Sequence, residues 1–379
     1  MHSSLHVTRA LATLASVALL ATACSGDEDV SPAPEQPTGP LSDALGLLPA
    51  STELVRFVDR TDAATRLGLD ELEALDSPQA VKEYDAARMK AEWAFTELGG
   101  FAEVMSTRGA FSELDVQWEA RGAQPARKGR LDGWAVFRLE DRVDLDAVAD
   151  AMVKAGYRED ELGGRRHLTA PAPDDDGMVD GVYPFGLLDR VTVLPEEHLL
   201  VTGSAQPVLD VVDGDSASLR DSGKLADVAE PAEGIEHAEL RTAETIDCAA
   251  PLSGGRKVPE STLRGAWSTL GMDGLRKPEG TALYVVTSDQ TDKPPVRGVT
   301  MLEFADTATA QADAEARSAW LENGTDQVTR LPMAQLYSPI GQVVDASRVA
   351  IEWTYGDNLA AGVRAHWEGA GVASCAEPG

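Results

Sequence analysis

Apolar and polar positions alternate in short bursts along the chain, and the bursts predict strands. Residues 52–59 (TELVRFVD) and 281–288 (TALYVVTS) carry this period of two. Residues 134–139 (WAVFRL) and 299–304 (VTMLEF) are apolar strands, each followed closely by an aspartate, Asp141 or Asp306, suited to cap a helix. Helical spacing comes next. Leu145, Val148, Met152 and Ala155 form one stripe; Ala308, Ala312, Ala316 and Ala319 with Trp320 form the other. Gly156 and Gly324 are stop signals. Residues 198–202 (HLLVT) and 349–354 (VAIEWT) predict further strands, leading into short helices at 206–212 and 358–367. Residues 166–170 and 327–336 are candidate third strands.

This order predicts an α+β fold built from two related β-β-α-β-β-α modules, ferredoxin-like, with antiparallel sheets and helices packed on one face. The first module, residues 41–216, carries a helical insertion at 78–104, with Tyr84, Ala87, Ala91, Phe95 and Leu98 on one face. Residues 217–278 read as a connecting segment, with a polar helix at 235–245 and a Gly/Pro/Ser-rich stretch at 251–259. The second module spans residues 279–379. Whether the modules share one sheet is left open by the pattern.

The N-terminus has a different character. An apolar run, residues 10–21, follows His2, His6 and Arg9 and ends at Ala21-Thr22-Ala23-Cys24. Residues 1–23 thus read as a signal peptide, too short in their apolar part for the ~20 residues that span a bilayer. A cysteine directly after the cleavage site resembles a bacterial lipobox, although Ala21 stands where Leu is favoured and Leu20 lies one step earlier. The resemblance implies that Cys24 receives a diacylglycerol and becomes a lipid-anchored N-terminus. Residues 24–40 are acidic, carry four prolines and read as a disordered tether. Lipobox, tether, a Leu-Pro-Ala-Ser-Thr opening at 48–52 and a late cysteine pair together resemble uncharacterised actinobacterial lipoproteins. That resemblance brings no catalytic residues with it. It implies the extracytoplasmic face of the cell membrane.

Charge narrows the partners. With 63 acidic against 33 basic residues, the net charge is −30, which argues against nucleic acid. It also argues against adhesion to anionic lipid, leaving the acyl chains to hold the membrane. Once Cys24 is lipidated, Cys248 and Cys375 remain, and outside the cytoplasm an even remainder suggests a disulfide; two buried thiols are the alternative.

His167, His198, His237 and His366 share no metal-ligand spacing, and G-x-S-x-G, P-loop and G-x-G-x-x-G motifs do not occur. No cofactor is expected. Asp174, Asp175 and Asp176, with Gly177 and nearby Asp180, are metal candidates as a calcium-type oxygen cluster, or else a solvated acidic loop. Trp267 and Trp353 are candidates for an aromatic ligand platform, or else core residues. The expected function is a non-enzymatic binding or scaffold lipoprotein facing an envelope protein or glycan, in a groove between modules. An envelope hydrolase with a carboxylate site and a solute-binding lipoprotein of a transporter are the alternatives.

Overall fold

The computed structural model describes residues 39–377 apart from 126–130, 224, 226–233, 255, 288–295 and 368. The expected signal peptide, Cys24 and the expected tether through residue 38 lie outside the described residues; Pro40, expected to end that tether, already opens a short helix, Pro40–Leu45.

Fourteen strands are formed among the described residues: β1 (Leu54–Asp59), β2 (Val116–Pro125), β3 (Leu131–Leu139), β4 (Arg158–Leu162), β5 (Arg165–Thr169), β6 (Met178–Val179), β7 (Tyr183–Pro184), β8 (Arg190–Leu194), β9 (Leu199–Gly203), β10 (Ile235–Thr242), β11 (Gly280–Thr287), β12 (Val296–Glu303), β13 (Tyr337–Asp345) and β14 (Arg348–Tyr355). Twelve of them form one continuous antiparallel sheet in the order β13-β14-β12-β11-β10-β1-β2-β3-β9-β8-β5-β4, and β6 pairs with β7 alone. The two halves therefore share a sheet, joined where β1 pairs with β10 and Phe57 lies opposite Ala238.

The mixed α+β class and the antiparallel pairing agree with the sequence pattern. Several details do not. Residues 235–245 were expected to be helical, yet Ile235–Thr242 is a strand at the sheet centre. Its Ala238 and Leu240 alternate with His237, Glu239 and Arg241, a period of two in which one face is charged. The segment 217–278 is thus more than a connection. The strand expected at 327–336 forms later, as β13, because Met333–Leu336 makes a helical turn first. Asp144, rather than Asp141, caps helix Leu145–Lys154, accepting from the amides of Asp146 and Ala147.

Helices cover both faces of the sheet, where one covered face was expected. Val55, Phe57, Ala238 and Leu240 point to one side and pack under Pro40–Leu45 and helix Gln206–Val212. On the other side, Leu145–Lys154 packs on Phe137, Val191 and Leu200, and helix Thr307–Asn323 packs on Leu302, Val349 and Ile351. A sheet apolar on both sides requires two covering layers.

Helix Thr307–Asn323 is capped by Asp306, as expected, but buries Ala310, Asp313, Ala314, Arg317, Trp320 and Leu321. Of the expected stripe, Trp320 is buried and Ala316 half-buried, while Ala308, Ala312 and Ala319 face outward because the inward face includes a charged pair. Cys248 and Cys375 lie at disulfide distance, with Cα atoms 5.0 Å apart. The sheet edges differ. In β4, Arg158, Glu159, Asp160 and Glu161 are exposed and blunt the edge with charge, whereas β13 exposes Ile340, Val343 and Val344.

Candidate functional site

Between the two helical layers, the centre of the sheet presents a charged stripe. Register explains it. Arg56 on β1 lies opposite Glu239 on β10 and Arg121 on β2, and Val58 lies opposite His237 and Glu119. Directly paired residues share a face, so Glu239, Arg56 and Arg121 form one row and His237, Val58 and Glu119 the next.

The insertion roofs this stripe. Helix Pro78–Lys90 starts at Ser77, whose side chain accepts from the Ala80 amide, and is followed by short 3-10 turns through Phe101. Buried polar contacts hold it down. Arg60 pairs with Glu113 at 2.9 Å, and the Tyr84 hydroxyl donates to the same carboxylate at 3.1 Å. Glu236 accepts two bonds from Arg66 at 2.6 Å and one from the Trp93 indole at 3.2 Å. Trp93 stacks on Tyr355 of β14, with ring centroids 5.5 Å apart, so the insertion reaches the other half of the molecule.

Under this roof lies a cavity of about 290 Å³, lined among others by Arg56, Arg88, Glu97, Glu119, Arg121 and His237. A neighbouring cavity of about 360 Å³ continues along the floor toward Trp134 and shares Arg56 and Arg121. Arg56 donates to Glu239 at 3.1 Å, and Arg121 pairs with Glu97 at 2.8 Å. Glu119 is only 3% exposed; its Oε2 accepts from the Glu97 amide at 2.8 Å. Its Oε1 has no hydrogen-bond partner among the described residues, and the Arg121 Nε is 3.7 Å away.

Burial sets the protonation of the site. It pushes the Glu119 carboxyl up to about 7, against the lowering effect of Arg121 and the Glu97 amide. It pulls His237 down to about 4. Burial also pushes on Glu239, but the guanidinium groups of Arg241 and Arg56 outweigh it and hold that carboxyl below its ordinary range. His366, packed between Tyr337 and Trp353 at centroid distances of 5.1 and 4.9 Å, is pulled down to about 3 by burial.

The residues expected from the sequence lie elsewhere. Asp174, Asp175, Asp176 and Asp180 sit on a surface loop, where the Asp174 carboxylate accepts from the amides of Asp176 and Met178 and so closes its own turn. Among the described residues, no group of three or more His, Cys, Asp or Glu side chains could hold a metal ion. Trp267 and Trp353 are at most 2% exposed and belong to the apolar core, so neither offers a platform to a ligand. Of the histidines, His237 and His366 both feel the Glu239 carboxylate, whereas His198 occupies a turn at φ 54°.

Reasoning from sequence missed Arg56, Glu119, Arg121, His237 and Glu239. A signal was present: along β1, β2 and β10 these residues alternate with apolar or small ones, Glu236 beside His237 excepted.

No family model matches the chain, and no curated protein does. Among solved structures, "Structure of crystal form I of TP0453" is similar at 8% identity, covering 84% of this chain and 95% of that one, with a TM-score of 0.36. A likeness at that level carries no argument about function. Among the described residues, no helix is long and apolar enough to cross a membrane.

Proposed function

We propose that the protein is a lipid-anchored extracytoplasmic lipoprotein whose body is a non-enzymatic binding module. The observation that carries this reading is the roofed cavity over the charged centre of the sheet, between the helical layers of the two halves. Its floor is made of three paired strands, and its ion pairs are already formed. Such a floor pre-orders the polar groups a ligand would meet, which lowers the entropic cost of binding.

The chain further reads as one plan used twice. A strand, a helical segment, a hairpin, a helix, a later hairpin and a last helix run from β1 to Val212, and again from β10 to Trp367, but the first run carries the extra β4–β5 hairpin and the β6–β7 pair before its later hairpin. In each run the later hairpin pairs back beside the first, giving β2-β3-β9-β8 and β11-β12-β14-β13. This plan keeps the first copy's opening strand and starts the second copy one strand earlier than the sequence pattern placed it, at β10 instead of β11, which makes β1 and β10 equivalent partners at the junction.

The test is in-cell crosslinking of the full chain, membrane purification and mass spectrometry. A stoichiometric partner, lost when Cys24→Ser releases the protein from the membrane or when the body is deleted, is the expected result. Turnover of a cell-wall substrate by the purified protein would overturn the non-enzymatic reading. One observation favours that second reading: Glu119 and Glu97 share a cavity, and burial raises the Glu119 carboxyl toward neutrality, as a general acid requires. Loss of such turnover in Glu119→Gln would establish it.

A further inference from the structure

The cross-strand pair Arg56 and Arg121 constrains what the cavity can bind. Like charges directly opposite on neighbouring strands repel, and here both side chains are only about one-third exposed, at 30% and 37%. Arg56 donates to Glu239, Arg121 pairs with Glu97 and stands 3.7 Å from Glu119, and both arginines line both cavities. Arg88 adds a third guanidinium to the 290 Å³ cavity, where it reaches the Gly99 carbonyl with Nη1 at 3.3 Å. In a chain of net charge −30, three guanidinium groups gather in this half-open cavity beside the carboxyl groups of Glu97 and Glu119. Guanidinium forks match carboxylate and phosphate oxygens, and a partly enclosed setting strengthens the contact.

Glu119 supplies the second specification. It lines the same cavity, and its buried Oε1 has no hydrogen-bond partner among the described residues, only the Arg121 Nε 3.7 Å away. A buried polar atom left unsatisfied costs free energy, which a ligand hydroxyl would recover. A volume of about 290 Å³ lies at the small end of ligand pockets, fitting a solute of monosaccharide size.

We propose that this cavity binds a small hydroxylated oxyanion, with a phosphate or carboxylate held between Arg56, Arg121 and Arg88 and a hydroxyl bonded to Glu119. This assignment rests on the binding-module reading and names the ligand class of the same site.

The test is calorimetric titration of the full chain in detergent with glycerol 3-phosphate, with gluconate, and with uncharged glycerol. Phosphatidylglycerol vesicles, bearing the same phosphate and hydroxyls on a headgroup, form the last arm. Saturable one-to-one binding of an anion is expected, with glycerol silent. Arg121→Gln and Arg88→Gln should each weaken it by about tenfold or more. Arg158→Gln, on the exposed edge strand, should leave it unchanged. Arg88 lies on the roof and takes part in none of the buried ion pairs described above, so that variant keeps the test valid if Arg121→Gln unfolds. Binding to the vesicles alone, lost in both variants, supports the site with a lipid headgroup as its source. The proposal is overturned if neither the soluble anions nor the vesicles bind, or if binding persists in both variants. Capture of a stoichiometric envelope partner alongside that negative result would overturn the ligand class and leave the binding-module reading standing.

Discussion

Arg317 and Asp313 form an ion pair in which both side chains are fully buried, with Nε 2.8 Å from Oδ2 and Nη2 3.0 Å from Oδ1. The pair sits one turn apart on helix Thr307–Asn323 and is wired outward at both ends. Arg317 Nη1 donates to the carbonyls of Val372 and Ser374 at 2.7 Å, and Asp313 accepts from the Arg276 amide at 2.7 Å. Removing one partner leaves a buried charge. Arg317→Ala should therefore cost about 3–5 kcal/mol in urea unfolding. Arg317→Met with Asp313→Leu should recover part of that loss, since no charge is stranded; a double variant worse than the single would contradict this account.

The same tail is tied by Cys248 and Cys375, 127 residues apart in sequence. Closing a loop of that length constrains the unfolded chain by up to about 4–5 kcal/mol in the chain-entropy model. Cys248→Ser with Cys375→Ser should lower stability by less than that ceiling, because the Arg317 hydrogen bonds still hold residues 372 and 374. Denaturant titration with and without reductant checks it. A wild type indifferent to reductant would show that the cysteines do not bridge.

How much of this was legible in the sequence depended on whether a charge faces inward. Strands β1, β3, β9, β11, β12 and β14 and the insertion's buried face, Tyr84 through Leu98, followed from apolar periodicity because most of their buried positions are apolar, whereas the hairpin partners β2, β8 and β13 were not read. On helix Thr307–Asn323 the pattern places Trp320 inward correctly but turns Ala308, Ala312 and Ala319 inward as well, because Asp313 and Arg317 are buried and pattern reading assigns charge to solvent. β10 was read as a polar helix for the same reason: His237, Glu239 and Arg241 point into the structure. The candidate site thus escaped where partnered charge replaces apolar burial. Pairing across the sheet joins residues nearly two hundred positions apart, such as Arg56 and Glu239, and no local pattern encodes that.

Gly298 should resist substitution. A Cβ there would fall 2.0 Å from Cζ2 of Trp353, its cross-strand partner. The indole cannot yield easily: it is fully buried, donates to the Thr300 hydroxyl at 3.0 Å, and meets Tyr337 edge-on at 5.1 Å. Gly298→Ala should destabilise by about 1–3 kcal/mol through overpacking. Gly341→Ala, where nothing lies within 4 Å of the added atom, should change little. Equal melting temperatures for the two variants would refute the packing argument.

Glu119 and His366 should tilt the pH dependence of stability in opposite directions. The Glu119 carboxyl is raised by burial from its ordinary 4.5 to about 7, so between those values the folded chain holds a proton that the unfolded chain releases. Its contribution is complete below pH 4.5 and is lost as pH rises through 7; Asp59, raised from 3.8 to about 7 chiefly by burial, acts in the same sense. His366 is lowered by burial from 6.5 to about 3, and His237 from 6.5 to about 4, so their contribution is present above pH 6.5 and lost as pH falls. In the wild type the two effects oppose each other between pH 4.5 and 6.5, and the stability profile there should be shallow. Glu119→Gln removes one side of the balance. Relative to wild type, its stability should gain up to about 3 kcal/mol between pH 4.5 and 7, from the size of the shift. His366→Leu should do the reverse, gaining relative stability as pH falls below 6.5. Chemical denaturation at half-unit pH steps resolves both trends, and parallel profiles for wild type and Glu119→Gln would mean that the carboxyl is not perturbed by its burial.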